Sequence, residues 1–262
     1  MLTTARAGAI ALAAFGLLSA PACSKAPAEP QEKSPDLTQE QVEEIVRTYI
    51  LEHPEVILQS VNAYAERQEL EAAERLNAEA KARLSTLLSD QDGVVVGAAD
   101  ADVAVVEFFD YHCGYCKAAS PVIRELIDKD ESVKVVFREL PILKEESETA
   151  ARYALAAREQ GKYLDFHFAL MNASGTLTEK RLAEIAKQAG LDAKKLASSV
   201  AESEAHKASL QRTYELAQAM GVSGTPAIVV ASADGEFVQA FSGWTEPGLR
   251  AAIEAAKTAA KS

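Results

Sequence analysis

Basic side chains are in short supply: 27 Lys and Arg stand against 39 Asp and Glu, a formal net charge of −12 over 262 residues. That balance excludes nucleic acid as a partner, because phosphate binding takes clustered Lys and Arg. Long apolar runs are missing too. The early stretch at residues 7–18 falls short of the about 20 residues a spanning helix needs, and no later segment qualifies. Cysteine is sparse, with Cys23, Cys113 and Cys116 alone, so a disulfide scaffold is excluded. His53, His112, His167 and His206 are scattered and no second Cys pair exists, which leaves a zinc site short of ligands. Covalent haem needs His directly after the second Cys, and Lys117 stands there. No metal and no cofactor is expected.

What is present begins with Arg6, the apolar stretch and Ala20-Pro21-Ala22, which read as an export signal over residues 1–22. Cys23 sits where a lipoprotein would be cleaved and acylated. Ala20-Pro21 matches the usual run before a lipid-bearing Cys poorly, and a cut after Ala28 would remove Cys23, so lipidation and removal both stay open. Residues 23–36, rich in Ala, Pro, Glu, Lys and Ser, read as a flexible tether.

Residues 37–90 read as helical. Thr38 and Gln41 form a capping-box pattern, and Pro54 ends or kinks the first helix. A second helical run over 55–88 carries a narrow stripe of Ile57, Val61, Tyr64, Leu76, Ala80, Leu84 and Leu87 among many charges. So thin a stripe on so long a helix favours self-association; lying against its own domain is the other reading.

From 91 to 262 the pattern becomes α/β. Residues 94–96, 103–109 and 133–140 read as strands, with a helix from about 114 to 127 between the last two. Residues 144–220 are helical throughout, interrupted at Gly161, 172–178 and Gly190, with Thr178, Asp192 and Ser203 as N-caps. Strands return at 227–231 and 236–241, and a last helix starts near Thr245. Strand, helix, strand with the Cys113–Cys116 pair at the first junction is a βαβ unit of thioredoxin type, so the expected fold class is α/β: a thioredoxin fold with an inserted helical domain and an extended N-terminal helical segment.

Cys113-Gly114-Tyr115-Cys116 lies where a strand gives way to a helix. A thiolate rather than a thiol attacks a disulfide, and free N–H groups at a helix start favour the anion. Cys113 is placed for attack, with its sulfur expected to be exposed, and Cys116, one turn on and more buried, for resolution. A copper-binding pair and an inert bridge are the competing readings. Glu107, six residues earlier in an apolar strand, is either a buried proton relay or a solvated strand-end carboxylate. Gly224-Thr225-Pro226 precedes a strand, where a proline leaves neighbouring backbone groups free for a substrate.

The segment Phe108-Phe109-Asp110-Tyr111-His112-Cys113-Gly114-Tyr115-Cys116-Lys117 resembles the active site of bacterial DsbA-like oxidoreductases. Leu140-Pro141-Ile142-Leu143, Gln160-Gly161-Lys162-Tyr163 with Phe166-His167, and Gly221-Val222-Ser223-Gly224-Thr225-Pro226-Ala227 continue the likeness in order. It implies that Cys113 is the nucleophile, Cys116 the resolving thiol, Pro226 a cis-proline, Thr225 its substrate-contacting neighbour and Glu107 the buried acid. Gly114-Tyr115 and Thr225 depart from DsbA itself, which has Pro-His and Val, and match the isomerase DsbC. The charged helical segment resembles the N-terminal region of ScsC-type (suppressor of copper sensitivity) proteins.

The resemblance therefore implies a periplasmic disulfide isomerase or reductase acting on partly folded exported proteins that carry cysteines. It implies a homo-oligomer, a trimer by likeness, and a membrane redox partner for the cysteine pair. A monomeric thiol oxidase and a Cu(I)-binding protein are the alternatives.

Overall fold

The computed structural model describes residues 37–261. The expected signal, the tether and Cys23 lie outside them. Two compact units divide the chain, Met1–Ile57 and Leu58–Ser262.

In the first unit, helix α1 (Gln39–Glu52) starts at the expected capping box. The Gln41 N–H donates to the Thr38 hydroxyl and the Thr38 N–H to the Gln41 side chain, which satisfies two free donors of the first turn. Val42, Ile45, Val46 and Tyr49 recur at helical spacing, yet no residue of α1 is buried.

The second unit is built on five strands: β1 (Val94–Val96), β2 (Val103–Phe109), β3 (Val133–Glu139), β4 (Ala227–Ser232) and β5 (Val238–Ser242). Their order in the sheet is β1-β3-β2-β4-β5. Strands β2 and β3 run parallel, joined by helix α4 (Gly114–Lys129), while β1, β4 and β5 pair antiparallel to their neighbours. Every residue of β2 is buried. Its near-continuous apolar run follows from cover on both faces.

Val103, Val105 and Phe109 pack with Ile123 of α4, with Val135 and Phe137 of β3, and with Ile253 of the last helix, α10 (Glu246–Ala259). Val106 and Phe108 face the other way, onto Leu76, Ala80, Leu87, Ala217 and Met220. The expected helical block is α5 (Glu145–Ala157), α6 (Tyr163–Asn172), α7 (Glu179–Gln188), α8 (Ala193–Glu202) and α9 (Glu204–Ala219). Thr178, Asp192 and Ser203 cap α7, α8 and α9 through their side chains, as their residue types predict.

The long helical run expected over 55–88 is two helices, α2 (Glu55–Ala82) and α3 (Leu84–Leu87), broken at Arg83. Its apolar stripe divides. Leu76, Ala80 and Leu87 are buried in the second core, whereas Val61 and Tyr64 are exposed. Thus the lower half of α2 lies against its own domain, the other reading of the stripe. Arg138 of β3 fixes the junction: its guanidinium donates to the carbonyls of Thr86, Leu87 and Ser89 at the end of α3. No helix of the described residues is long and apolar enough to cross a membrane.

Candidate active site

Cys113 is the N-cap of α4, with extended backbone dihedrals of −76° and 116°. The Cys116 N–H donates to the Cys113 sulfur across 3.3 Å, so a free donor of the helix start is aimed at the candidate nucleophile. Both cysteines are free thiols. The Thr225–Pro226 bond is cis, and the Cys113 thiol donates to the Thr225 carbonyl across 3.2 Å. A loop 112 residues distant in sequence thereby closes over the sulfur.

The expectation of an exposed sulfur needs correction, because Cys113 is 4% accessible. Burial alone would raise its pKa. The Cys116 thiol, the Thr225 side chain and the N–H groups of Cys116 and Tyr115 outweigh that and bring it down to about 6. Cys116 is wholly buried, and burial first, then Cys113 and Glu107, pushes its thiol far up. Two thiols one helical turn apart are thus split in acidity, Cys113 downward and Cys116 upward.

Glu107 is 1% accessible, and its Oε1 has no hydrogen-bond partner. Burial first, then the nearby Cys113 charge, raises its pKa to about 8. That is a buried acid, and the solvated strand-end alternative falls. A carboxyl that titrates close to neutral pH can both take and return a proton.

In the sequence Asp110, Tyr111, His112, Tyr163 and His167 stand out only as parts of motifs, and Ser147 and Glu139 lie outside them. Asp110 is buried and holds the turn before Cys113: its Oδ1 accepts from the His112 N–H at 2.7 Å and the Ser147 hydroxyl at 2.8 Å. Its Oδ2 accepts from the N–H groups of Ile142 and Leu143, each at 2.9 Å. The Ser147 proton goes to Asp110, so the His112 Nδ1 contact at 2.9 Å makes Nδ1 the donor to Ser147. That order aims no hydroxyl nucleophile at a substrate. Ser147 is a tie.

Glu139 ends β3 in the same way that Glu107 interrupts β2. Its Oε1 accepts from the hydroxyls of Tyr111 and Tyr163, each at 2.9 Å, and Tyr111 also meets His167 Nδ1 at 3.1 Å. A carboxylate near the end of an apolar strand is a signal that the sequence carries at Glu139 as it does at Glu107. Burial keeps His167 neutral, with a pKa near 3. Among the described residues, no group of three or more His, Cys, Asp or Glu side chains is arranged to hold a metal ion.

Comparisons with known proteins agree with this geometry. Residues 104–247 match the DSBA-like thioredoxin domain, and residues 39–71 match the copper resistance protein ScsC N-terminal domain. A thioredoxin-like oxidoreductase from Silicibacter pomeroyi is 40% identical, with a TM-score of 0.60 over 66% of this chain and 97% of its own. BcfH of Salmonella enterica Typhimurium is 32% identical, with a TM-score of 0.69 over 83% of this chain and 95% of its own. The Na(+)/H(+) antiporter NhaA 3 of Salinispora tropica is 33% identical over 138 residues, which are 52% of this chain. The chain spans only 21% of that curated relative's length. With the family match covering more than half of its length, the chain belongs to the DSBA-like thioredoxin oxidoreductase family and carries an ScsC-type N-terminal domain ahead of that fold.

Proposed function

We propose that this chain is a periplasmic thiol–disulfide oxidoreductase that isomerises or reduces wrong disulfides in partly folded exported proteins through Cys113 and Cys116. The observation that carries the reading is the Cys113 sulfur at the start of α4, held acidic by the donors around it. The Cys113 thiolate attacks one sulfur of a client disulfide; an S–S bond forms to the client and the second client sulfur leaves as a thiolate. If another client thiolate then attacks the client sulfur of the mixed disulfide, Cys113 leaves as a thiolate and the pairing is changed with no net redox.

If Cys116 attacks Cys113 instead, the client leaves reduced and the protein holds the Cys113–Cys116 disulfide, two electrons poorer. A membrane redox partner must then return those electrons. Glu107 takes the Cys116 proton in that step, since the buried thiol does not ionise by itself. Thr225 and Pro226 are the substrate-binding pair, and the cycle needs no cofactor.

Gly114-Tyr115, Thr225 and the match to the ScsC N-terminal domain support isomerisation or reduction. A thiol oxidase is the second reading. A low thiol pKa stabilises the reduced pair and makes its disulfide a stronger oxidant, which is the property favouring it. Acid-quench trapping in cells separates the two: an isomerase or reductase is recovered with free thiols, an oxidase as the disulfide. A Cys116→Ala variant accumulates mixed disulfides with exported proteins under the proposal. Recovery of none, with wild-type protein inert towards scrambled disulfides, contradicts it. Mass spectrometry of the mature N-terminus reads whether Cys23 is acylated or removed.

A further inference from the structure

Beside the cysteine pair lies a cleft of about 990 Å³, within the range of peptide and ligand sites, and one of its walls is helix α2. Ala72, Ala73 and Leu76 give that wall a smooth apolar surface, with Glu69 and Arg75 on it as well. Tyr115, Pro226, Phe241 and Trp244 line the cleft from the domain side. Neither wall is loose. Asn77 of α2 accepts the Ala240 N–H across 2.6 Å on β5, the edge strand of the sheet, and the Trp244 indole donates to the Tyr115 carbonyl across 3.1 Å.

The α2 residues lie outside the matched DSBA-like region, and Ala72, Ala73, Arg75 and Leu76 lie beyond the matched ScsC N-terminal domain as well. The cleft is therefore composite. Its domain side is continuous with the nucleophile, because Thr225, whose carbonyl touches the Cys113 sulfur, also lines it. A client chain joined to Cys113 must lay the residues beside its own cysteine along this cleft.

We propose that α2 is a specificity wall, reading the extended client segment that flanks the reacting cysteine. An apolar or aromatic client side chain packs on Ala72, Ala73 and Leu76, and a charged neighbour meets Glu69 or Arg75. The contact is non-covalent and adds no chemical step; it rests on the thiol–disulfide exchange proposed above. The occupant is an unfolded, cysteine-bearing chain, which alone can enter while tethered to Cys113.

The test compares two oxidants of the reduced full-length chain: a disulfide-linked peptide with aromatic residues beside its cysteine, and the small disulfide 5,5′-dithiobis(2-nitrobenzoate). Ala73→Trp fills the cleft from an exposed position, and the peptide rate is expected to fall about tenfold while the small-disulfide rate stays within about twofold. Arg75→Glu leaves two acids on the wall, and the preference for a Lys-flanked over a Glu-flanked peptide is expected to rise at least about threefold, an effect that salt removes. Ala73→Trp kinetics equal to wild type, together with unchanged charge preference in Arg75→Glu, overturn the inference. So does a change in oligomer mass in place of peptide kinetics, which would give the cleft to a second copy. A wild-type chain inert to both oxidants would instead sink the exchange reading itself.

Discussion

The Tyr111 hydroxyl donates to Glu139 across 2.9 Å, tying the turn two residues before Cys113 to the end of β3. Tyr163 of α6 donates to the same oxygen, so the inserted helices, the sheet and the cysteine turn meet at one buried carboxyl. Burial pushes that carboxyl well up, and the two hydroxyls pull it back. Tyr111→Phe removes the hydroxyl's contacts with both Glu139 and His167 Nδ1 and is expected to cost about 2–3 kcal/mol in urea denaturation. Glu139→Gln keeps an acceptor for both hydroxyls, whereas Glu139→Ala strands them and should cost at least about 3 kcal/mol. Equal losses for Gln and Ala would mean that the hydroxyls do not depend on this acceptor.

Glu107 gives a pH prediction with a definite sign. Its pKa is raised from 4.5 to about 8, so over that window the folded chain keeps a proton that the unfolded chain releases. The stability it contributes is complete below pH 4.5 and is lost as pH rises through about 8. Glu107→Gln lacks that loss. Relative to wild type, the reduced variant should gain on the order of 4 kcal/mol between about pH 5 and about pH 8. In kinetics the same change should slow resolution of a mixed disulfide by Cys116 about 100-fold, since Gln takes no proton. A parallel pair of stability curves would return Glu107 to a passive role.

Arg138 is buried, and its Nη2 reaches three carbonyls of residues 86–89 while its Nε has no partner. Arg138→Met keeps the stem and removes the donor, taking the side-chain partner from the Leu87 and Ser89 carbonyls at the foot of the helical segment, while the Thr86 carbonyl keeps the Ser89 N–H. The expected loss is about 2–4 kcal/mol in urea denaturation, and Arg138→Lys should recover less than half of it, because the lysine ammonium sits on a stem shorter than the path to Nη2. Full recovery by Lys would show that charge alone matters there.

The cysteine pair, Glu107 and the Thr225-Pro226 turn were legible because each interrupts a pattern: thiols at a strand–helix junction, a carboxylate in an apolar strand, a proline before one. Strand β2 was legible because cover on both faces leaves a continuous apolar run. Depth was not. Cys113 was expected to be exposed and lies beneath the Thr225 loop, a contact made across 112 residues of sequence. The stripe on α2 showed which residues were apolar but not that Leu76 and Ala80 would be claimed by the sheet while Val61 and Tyr64 stayed in solvent. The Glu139 hub was missed for the same reason, since its partners come from the cysteine turn and from α6, 28 and 24 residues away on either side.

The exposed apolar faces of α1 and of the upper part of α2 support self-association as a proposal, with the trimer implied by the ScsC likeness. Val42, Ile45, Val46 and Tyr49 are each at least 44% accessible in α1, a row that a partner helix would cover. Removing residues 37–57 leaves the buried Leu76 and Ala80 in place and should reduce the mass seen by light scattering to that of one chain. Turnover of a small disulfide should be unchanged within about twofold, while isomerisation of a scrambled protein falls, since paired sites act together on one client. Full-length chain already monomeric would contradict the association.

The most direct measurement is the rate of Cys113 alkylation by iodoacetamide against pH in the reduced chain, with Cys116 buried as an internal control. The account predicts a midpoint near 6, set by the Cys116 thiol, the Thr225 side chain and the first N–H groups of α4. A midpoint near about 8.5, that of a free cysteine, would contradict it.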